Sequence, residues 1–141
     1  MNKASVAESI ISSGYGNCAQ AILGGYAEEL GLKYDVAMGL ARGLGAGMGR
    51  TGGICGAVSA AILVIGLKVP GPADPRARRE RVYSLVQNFI GEFTARHAST
   101  NCTDLLGFNL GAPAGQDEAR RRDSCNRICP GLVFSAVTML D

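Results

Sequence analysis

The chain reads as an all-α protein, one domain over residues 1–141 built as a bundle of five or six helices. Three observations predict this. Apolar residues recur at three- and four-residue spacing along nearly the whole chain. No two consecutive segments alternate apolar and polar as half-buried strands do. Breaks at Gly14-Tyr15-Gly16, Gly31 and Pro70-Gly71-Pro72 separate the periodic runs.

Taken in order, Val6, Ile10 and Ile11 form one face of a first helix, stopped by Gly14-Tyr15-Gly16. Asn17 is a good N-cap for a second helix, along which Ala19, Ile22, Leu23, Tyr26 and Leu30 recur before Gly31 closes it. Asp35 opens a third, with Val36, Met38, Leu40 and Leu44 available for packing. A glycine-rich stretch from Gly43 to Gly53 then leads into an apolar helix from about Ile54 to Leu67. Pro70-Gly71-Pro72 breaks the chain. Asp74 caps, and Pro75 suits the first turn of, a long helix to about His97, with Val82, Leu85, Val86, Phe89, Ile90 and Phe93 as its apolar stripe. A short turn over Cys102–Gly107, a polar loop containing Pro113 and Gly115, and a last helix from Pro130 to about Leu140 complete the chain. There is neither a linker nor an internal repeat.

Bulk properties narrow the function. A chain of 141 residues, 47% hydrophobic and 18% charged, has the size and composition to bury one core. Its formal net charge of +2 calls for no nucleic-acid partner and no anionic membrane. The arginines at positions 76, 78, 79 and 81, and the run Arg120-Arg121-Arg122, read as solvated helix faces. No apolar stretch follows the N-terminal Met1-Asn2-Lys3-Ala4-Ser5, so no secretory signal is read there. The longest apolar run falls short of the about 20 residues that span a bilayer. The expected location is cytoplasmic, where cysteines serve as ligands, reactive thiols or packing groups rather than as structural disulfides.

Four of the five cysteines share one local context. Cys18 follows the cap Asn17, Cys55 follows Gly52-Gly53 at the head of the apolar helix, Cys102 heads the short turn, and Cys129 precedes Pro130. Each therefore starts a helix, where unpaired N–H groups and the positive end of the helix dipole favour thiolate over thiol. If the four starts converge, they enclose a place for an anion: a thiolate group or a thiolate-bound iron–sulfur centre. The competing reading treats each cysteine as a small buried hydrophobe. Cys125 lies on a polar stretch and forms Cys-x3-Cys with Cys129, which makes it either a bystander or a resolving thiol. There is no Cys-x2-Cys pair and no Cys-x2-Cys-His, so zinc-ribbon, thioredoxin-type and covalent-haem sites are not signalled. His97, at the end of the long helix, reads as a C-terminal cation or surface residue rather than a ligand.

Gly47-Met48-Gly49-Arg50-Thr51-Gly52 matches the dinucleotide-binding fingerprint as a string, but the fingerprint needs a preceding strand and a helix precedes it here. The stretch instead suits positive φ and close backbone approach beside the cysteines. Gly47, Gly49 and Gly53 could offer N–H groups there, and Arg50 a positive charge, toward a cofactor. Close helix packing explains the small residues equally well.

Four blocks together resemble the C_GCAxxG_C_C family of redox-active proteins, nearly end to end. They are Asn17-Cys18-Ala19-Gln20-Ala21; Gly43 to Arg50 leading to Cys55-Gly56-Ala57-Val58; Cys102-Thr103-Asp104-Leu105-Leu106-Gly107; and Cys129-Pro130. The resemblance implies that Cys18, Cys55, Cys102 and Cys129 are the family's characteristic cysteines and that Cys125 is extra. The last glycine of the Cys-Gly-Ala-x-x-Gly element is Ala60 here. A related domain in split-Soret cytochromes links the resemblance to electron transfer and an iron–sulfur centre. It implies an oxidoreductase or electron-transfer protein, its catalytic or metal-ligating groups being the four cysteines, its redox partner unspecified. A zinc-type soft-metal protein and an interaction module with structural cysteines are the alternatives. An exposed apolar helix face would also permit a homodimer.

Overall fold

The computed structural model describes residues 2–70 and 73–141. Gly71 and Pro72 of the expected break lie outside the described residues, as does Met1. Among the described residues the fold is all helix. Eight helices have five residues or more: α1 (Lys3–Ser12), α2 (Cys18–Leu30), α3 (Tyr34–Ala41), α4 (Gly56–Lys68), α5 (Pro75–His97), α6 (Cys102–Leu106), α7 (Pro113–Arg121) and α8 (Cys129–Leu140). Single turns at Arg42–Leu44, Gly45–Met48 and Ser124–Arg127 complete the list.

The count exceeds the expected five or six for a physical reason. The segment expected to be a polar loop is α7, with Pro113 in its first turn and Ala119 its one buried residue, too few apolar groups to reveal it. Its charges support the helix instead: Arg120 pairs with Asp117, and both Arg121 and Arg122 pair with Glu118, at three- and four-residue spacing. Helix α3 is also shorter than expected. It ends at Ala41, and Val36 and Leu40 stand exposed while Ala37, Met38 and Ala41 make its buried face.

Helix α2 is the hub. The side chains of Ala19, Ala21, Ile22, Leu23 and Tyr26 are wholly buried, and α2 packs on α1, α3, α4 and α8. Asn17 caps it as expected, accepting from the Gln20 N–H at 2.9 Å while the Gln20 side chain accepts from the Asn17 N–H at 3.0 Å. Gly31, left-handed at φ 70°, closes it. Asp74 caps α5 through the Ala77 N–H at 3.1 Å, and α5 lays Phe89 and Phe93 on the core. Helix α4 buries Ala57, Ala60 and Ala61 against that core, so the methyl of Ala60 is absorbed by packing, while Leu63 and Leu67 reach the surface. No helix among the described residues is long and apolar enough to cross a membrane.

The buried side chains divide into two clusters. The large one unites α1 to α5 and α8. The small one holds Cys102, Leu106, Leu110 and Ala119. Ile128 and Cys129 touch both, so the start of α8 lies on the seam between them. His97 ends α5 with its ring centroid 4.6 Å from that of Phe93, and its Nε2 is buried without a hydrogen-bond partner among the described residues. It is thus a half-buried group packed on Phe93 in the last turn of α5.

Candidate functional site: a cysteine cavity on the seam

Two of the cysteine-bearing helix starts are clamped side by side by a short extended pairing. The Cys55 N–H donates to the Thr100 carbonyl at 2.8 Å and the Cys102 N–H to the Gly53 carbonyl at 2.7 Å. Ile54 and Asn101 form an antiparallel bridge between them, and Thr103 Oγ1 donates to the Gly52 carbonyl at 2.8 Å. Each strand of this pairing is too short to show an alternating pattern, so the sequence carries no periodic signal for it. Asn101 caps α6 through the Asp104 N–H at 3.3 Å, fixing Cys102 as its first residue. Cys18 and Cys129 are likewise the first residues of α2 and α8, and Cys55 is the N-cap of α4.

These four starts meet. Cys18, Cys55, Cys102, Cys125 and Cys129 line one cavity of about 250 Å³. Its remaining walls are largely apolar, including Ile11, Leu105, Leu106, Leu110 and Leu132. All five cysteines are free thiols; Cys18, Cys55 and Cys102 are buried, Cys129 half-buried and Cys125 exposed.

The sulfurs are not evenly distributed round the cavity but fall into pairs. The Cys55 thiol donates a hydrogen bond to Cys18, and the N–H groups of Ala46, Ala19 and Gly56 also face that sulfur. Together they outweigh burial and pull the Cys18 thiol below its ordinary value. Cys55 is pushed well up by the same hydrogen bond, by burial and by the negative charge on Cys18. The pair therefore gives up its first proton readily and holds its second. Cys125 and Cys129 repeat the arrangement. Cys125 is lowered to about 6, chiefly by the hydrogen bond from Cys129 and further by Arg50, against burial and Asp123. Cys129 is raised by that hydrogen bond, by burial and by the neighbouring thiolates. Cys102 has no sulfur partner of this kind; burial and the charges of Cys18 and Cys125 push it up to about 11.

The glycine stretch closes one side of the cavity as a left-handed turn. Ala46, Gly47, Met48, Gly49 and Arg50 all have φ between 56° and 68°. Gly47 is required by space as well as by φ: a Cβ there would lie 2.6 Å from the Gly53 nitrogen and 2.7 Å from Cys102 Cβ. Gly49 and Gly53 give their N–H groups to the Gly45 and Gly47 carbonyls, at 2.8 and 2.9 Å. The Ala46 amide of this turn reaches the Cys18 sulfur, and the Arg50 charge acts on Cys125. Gly56 must also lack a side chain, since a Cβ there would lie 2.5 Å from Cys18 Sγ.

A family model described as "Putative redox-active protein (C_GCAxxG_C_C)" matches residues 16–141. The chain belongs to the C_GCAxxG_C_C family. No curated protein and no solved structure matches it. Cys18, Cys55, Cys102 and Cys129 thus lie round one cavity in this C_GCAxxG_C_C protein, and Cys125 joins them. The Cys-x3-Cys spacing was the one sequence signal for Cys125. The clamp between 52–55 and 100–103 and the role of the Ala46 amide had none.

Among the described residues no three His, Cys, Asp or Glu side chains are arranged to hold a metal ion. An iron–sulfur cluster spreads its ligands round its own core and suits the donor type.

Proposed function

We propose that this protein is a dithiol redox protein, an oxidoreductase whose working centre is the cysteine cavity. One observation carries the reading: five thiols line one cavity, and the ionisation of four of them is governed chiefly by a single partner, Cys18 with Cys55 and Cys125 with Cys129. In each pair one thiol is depressed and its partner holds a proton for it. That is what thiol–disulfide exchange needs: a thiolate to attack and a second thiol to resolve.

In the Cys18–Cys55 pair the Cys18 thiolate attacks one sulfur of a disulfide, whose other sulfur leaves as a thiolate. Cys55 then loses its proton and attacks Cys18 Sγ, releasing the second sulfur. A Cys18–Cys55 disulfide forms, and two electrons have passed to the acceptor. The amides of Ala46, Ala19 and Gly56 hold the attacking charge, and the apolar walls keep water from the intermediate.

The reading is tested on anaerobically purified, reduced protein treated with one equivalent of a disulfide oxidant. Loss of two hydrogens and a Cys18–Cys55 linkage in the peptide map is expected, and Cys55→Ala should abolish that linkage. Iron and acid-labile sulfide at stoichiometric levels would contradict it. They would instead favour a second reading, a cluster held by Cys18, Cys55, Cys102 and Cys129. Its specific support is the meeting of four cysteine-bearing helix starts on one cavity.

A further inference from the structure

Three of the family-pattern cysteines are buried, so the cavity needs a route by which an oxidising disulfide can draw electrons from it. Cys125 has the position for it. It is exposed, it contacts Cys129, and it lines two spaces at once. One is the inner cysteine cavity. The other is an outer cleft of about 320 Å³, whose polar lining is Arg50, Gln116, Arg120 and Asp123. Ala46 and Leu110 also border both spaces, so Cys125 stands in the partition between them.

The outer cleft has a chemical bias. Arg120 is paired with Asp117 on its own helix. Arg50 has no ion-pair partner among the described residues. It is held over the cleft by the left-handed turn, which Thr51 ties down by donating to the Gly47 carbonyl at 2.7 Å. Gln116 is held by its own donation to the Leu110 carbonyl at 2.8 Å, which leaves its side-chain oxygen facing a cleft that also contains an unspent guanidinium.

We propose that Cys125 is the entry thiol of this protein and that the outer cleft receives a small disulfide bearing carboxylate groups, seated by Arg50. The proposal rests on the dithiol reading of the inner cavity. In the first step the Cys125 thiolate attacks one sulfur of the bound disulfide. That S–S bond breaks, and one half leaves as a thiolate that takes a proton from solvent. Cys129 then loses its proton and attacks Cys125 Sγ, expelling the second half. The substrate has gained two electrons and two protons as two thiols, and a Cys125–Cys129 disulfide remains. Cys18 attacks Cys129 Sγ, Cys125 leaves as thiolate, and Cys55 displaces Cys129 from Cys18. The oxidation now resides on the buried pair, and the entry pair is reduced again.

The test uses the full chain, reduced, with oxidised glutathione as the carboxylate-bearing probe, cystamine as a cationic one and 2-hydroxyethyl disulfide as a neutral one. In Cys129→Ser a single glutathione should be trapped, and peptide mapping should place it on Cys125. In Cys125→Ser, a change at an exposed position, the fold should hold by circular dichroism. Oxidation of the Cys18–Cys55 pair by oxidised glutathione should then slow by about tenfold or more, as expected when the exposed thiolate is lost. Arg50→Gln should slow the glutathione reaction by about threefold more than it slows the neutral-disulfide reaction, the scale of one exposed charge.

An adduct on Cys18, Cys55 or Cys102 while Cys125 is intact would overturn the proposal. So would an unchanged rate in Cys125→Ser, which would leave the dithiol reading of the inner pair standing. Reaction with cystamine faster than with oxidised glutathione would overturn the carboxylate preference. A trapped Cys125 adduct with no Cys18–Cys55 disulfide under any probe would support the entry thiol and sink the dithiol reading of the inner pair.

Discussion

Cys125 and Cys129 show how one hydrogen bond divides the roles of two identical side chains. The proton that Cys129 retains is the one that stabilises the Cys125 thiolate, so the first is pushed up as the second is pulled down. Thiolate is present at Cys125 above its value of about 6 and is lost as pH falls through it. The rate of Cys125 alkylation by iodoacetamide should therefore fall to half near pH 6, and Cys129→Ala should move that midpoint upward toward the ordinary thiol range. A midpoint near pH 8.5 in the parent protein would show that the contact does not form. Gly56 is the corresponding control point for the inner pair. A methyl there would press on Cys18 Sγ and on Ala19, so Gly56→Ala should cost about 1–3 kcal/mol in a denaturant titration, the range for overpacking a filled core. It should also raise the pH at which Cys18 becomes reactive, because the sulfur is pushed from its amide donors.

Among the elements, the left-handed turn Ala46–Arg50 carries the most backbone strain. Ala46, Met48 and Arg50 each hold a conformation that costs a side-chain-bearing residue about 1–2 kcal/mol. The clamp of Gly52–Cys55 on Thr100–Thr103 and the hydrogen bonds of Thr51 hold the turn in place. Met48 is exposed, so Met48→Gly removes strain at little loss of packing and should raise the melting temperature by a few degrees, the scale of about 1 kcal/mol. Gly47→Ala should do the reverse and should disturb Cys102, whose Cβ lies against that position. A lowered melting temperature for Met48→Gly would show that the turn is not strained.

At this scale the sequence was legible wherever a cap or a period announced an element. Asn17, Gly31 and Asp74 mark their helix ends because each side chain or φ has a specific duty there. Helix α7 was missed because its stability comes from Arg–carboxylate pairs rather than from an apolar face. The clamp was missed because two short extended pieces have no periodicity. The cysteine positions at helix starts were readable locally. Their meeting at one cavity, and their sorting into pairs that include Cys125, depend on how α2, α4, α6 and α8 dock, which local patterns do not encode.

The whole molecule is tied at the end opposite the cavity's chemistry by a cluster round Tyr26. Its hydroxyl donates to Asp141 Oδ1 at 3.0 Å and lies 3.4 Å from the Val137 carbonyl, while Lys3 bridges Glu29 at 2.6 Å and Asp141 at 2.9 Å. Lys3 lowers both carboxyl groups, Glu29 and Asp141. With both folded values depressed, their stabilising effect is present above the unfolded carboxylate range of about 4 and is lost as pH falls through the folded values. Lys3→Met should therefore lower the unfolding free energy from urea titration at pH 7 by less than about 1 kcal/mol, since these groups are partly exposed, and should leave it unchanged near pH 2. Tyr26→Phe should cost about 1 kcal/mol at neutral pH through the lost hydrogen bond. Neither change touches a cysteine, so both should leave the thiol chemistry intact.

The dithiol centre itself is tested most directly by mapping cysteine linkages in protein purified without oxygen and then oxidised by a limiting amount of disulfide. Paired sulfurs predict a Cys18–Cys55 linkage first, with a Cys125–Cys129 linkage following only at a second equivalent, and leave Cys102 as a free thiol. A map in which Cys18 and Cys55 remain unlinked to each other, or in which Cys102 is bridged to either of them, would contradict the account.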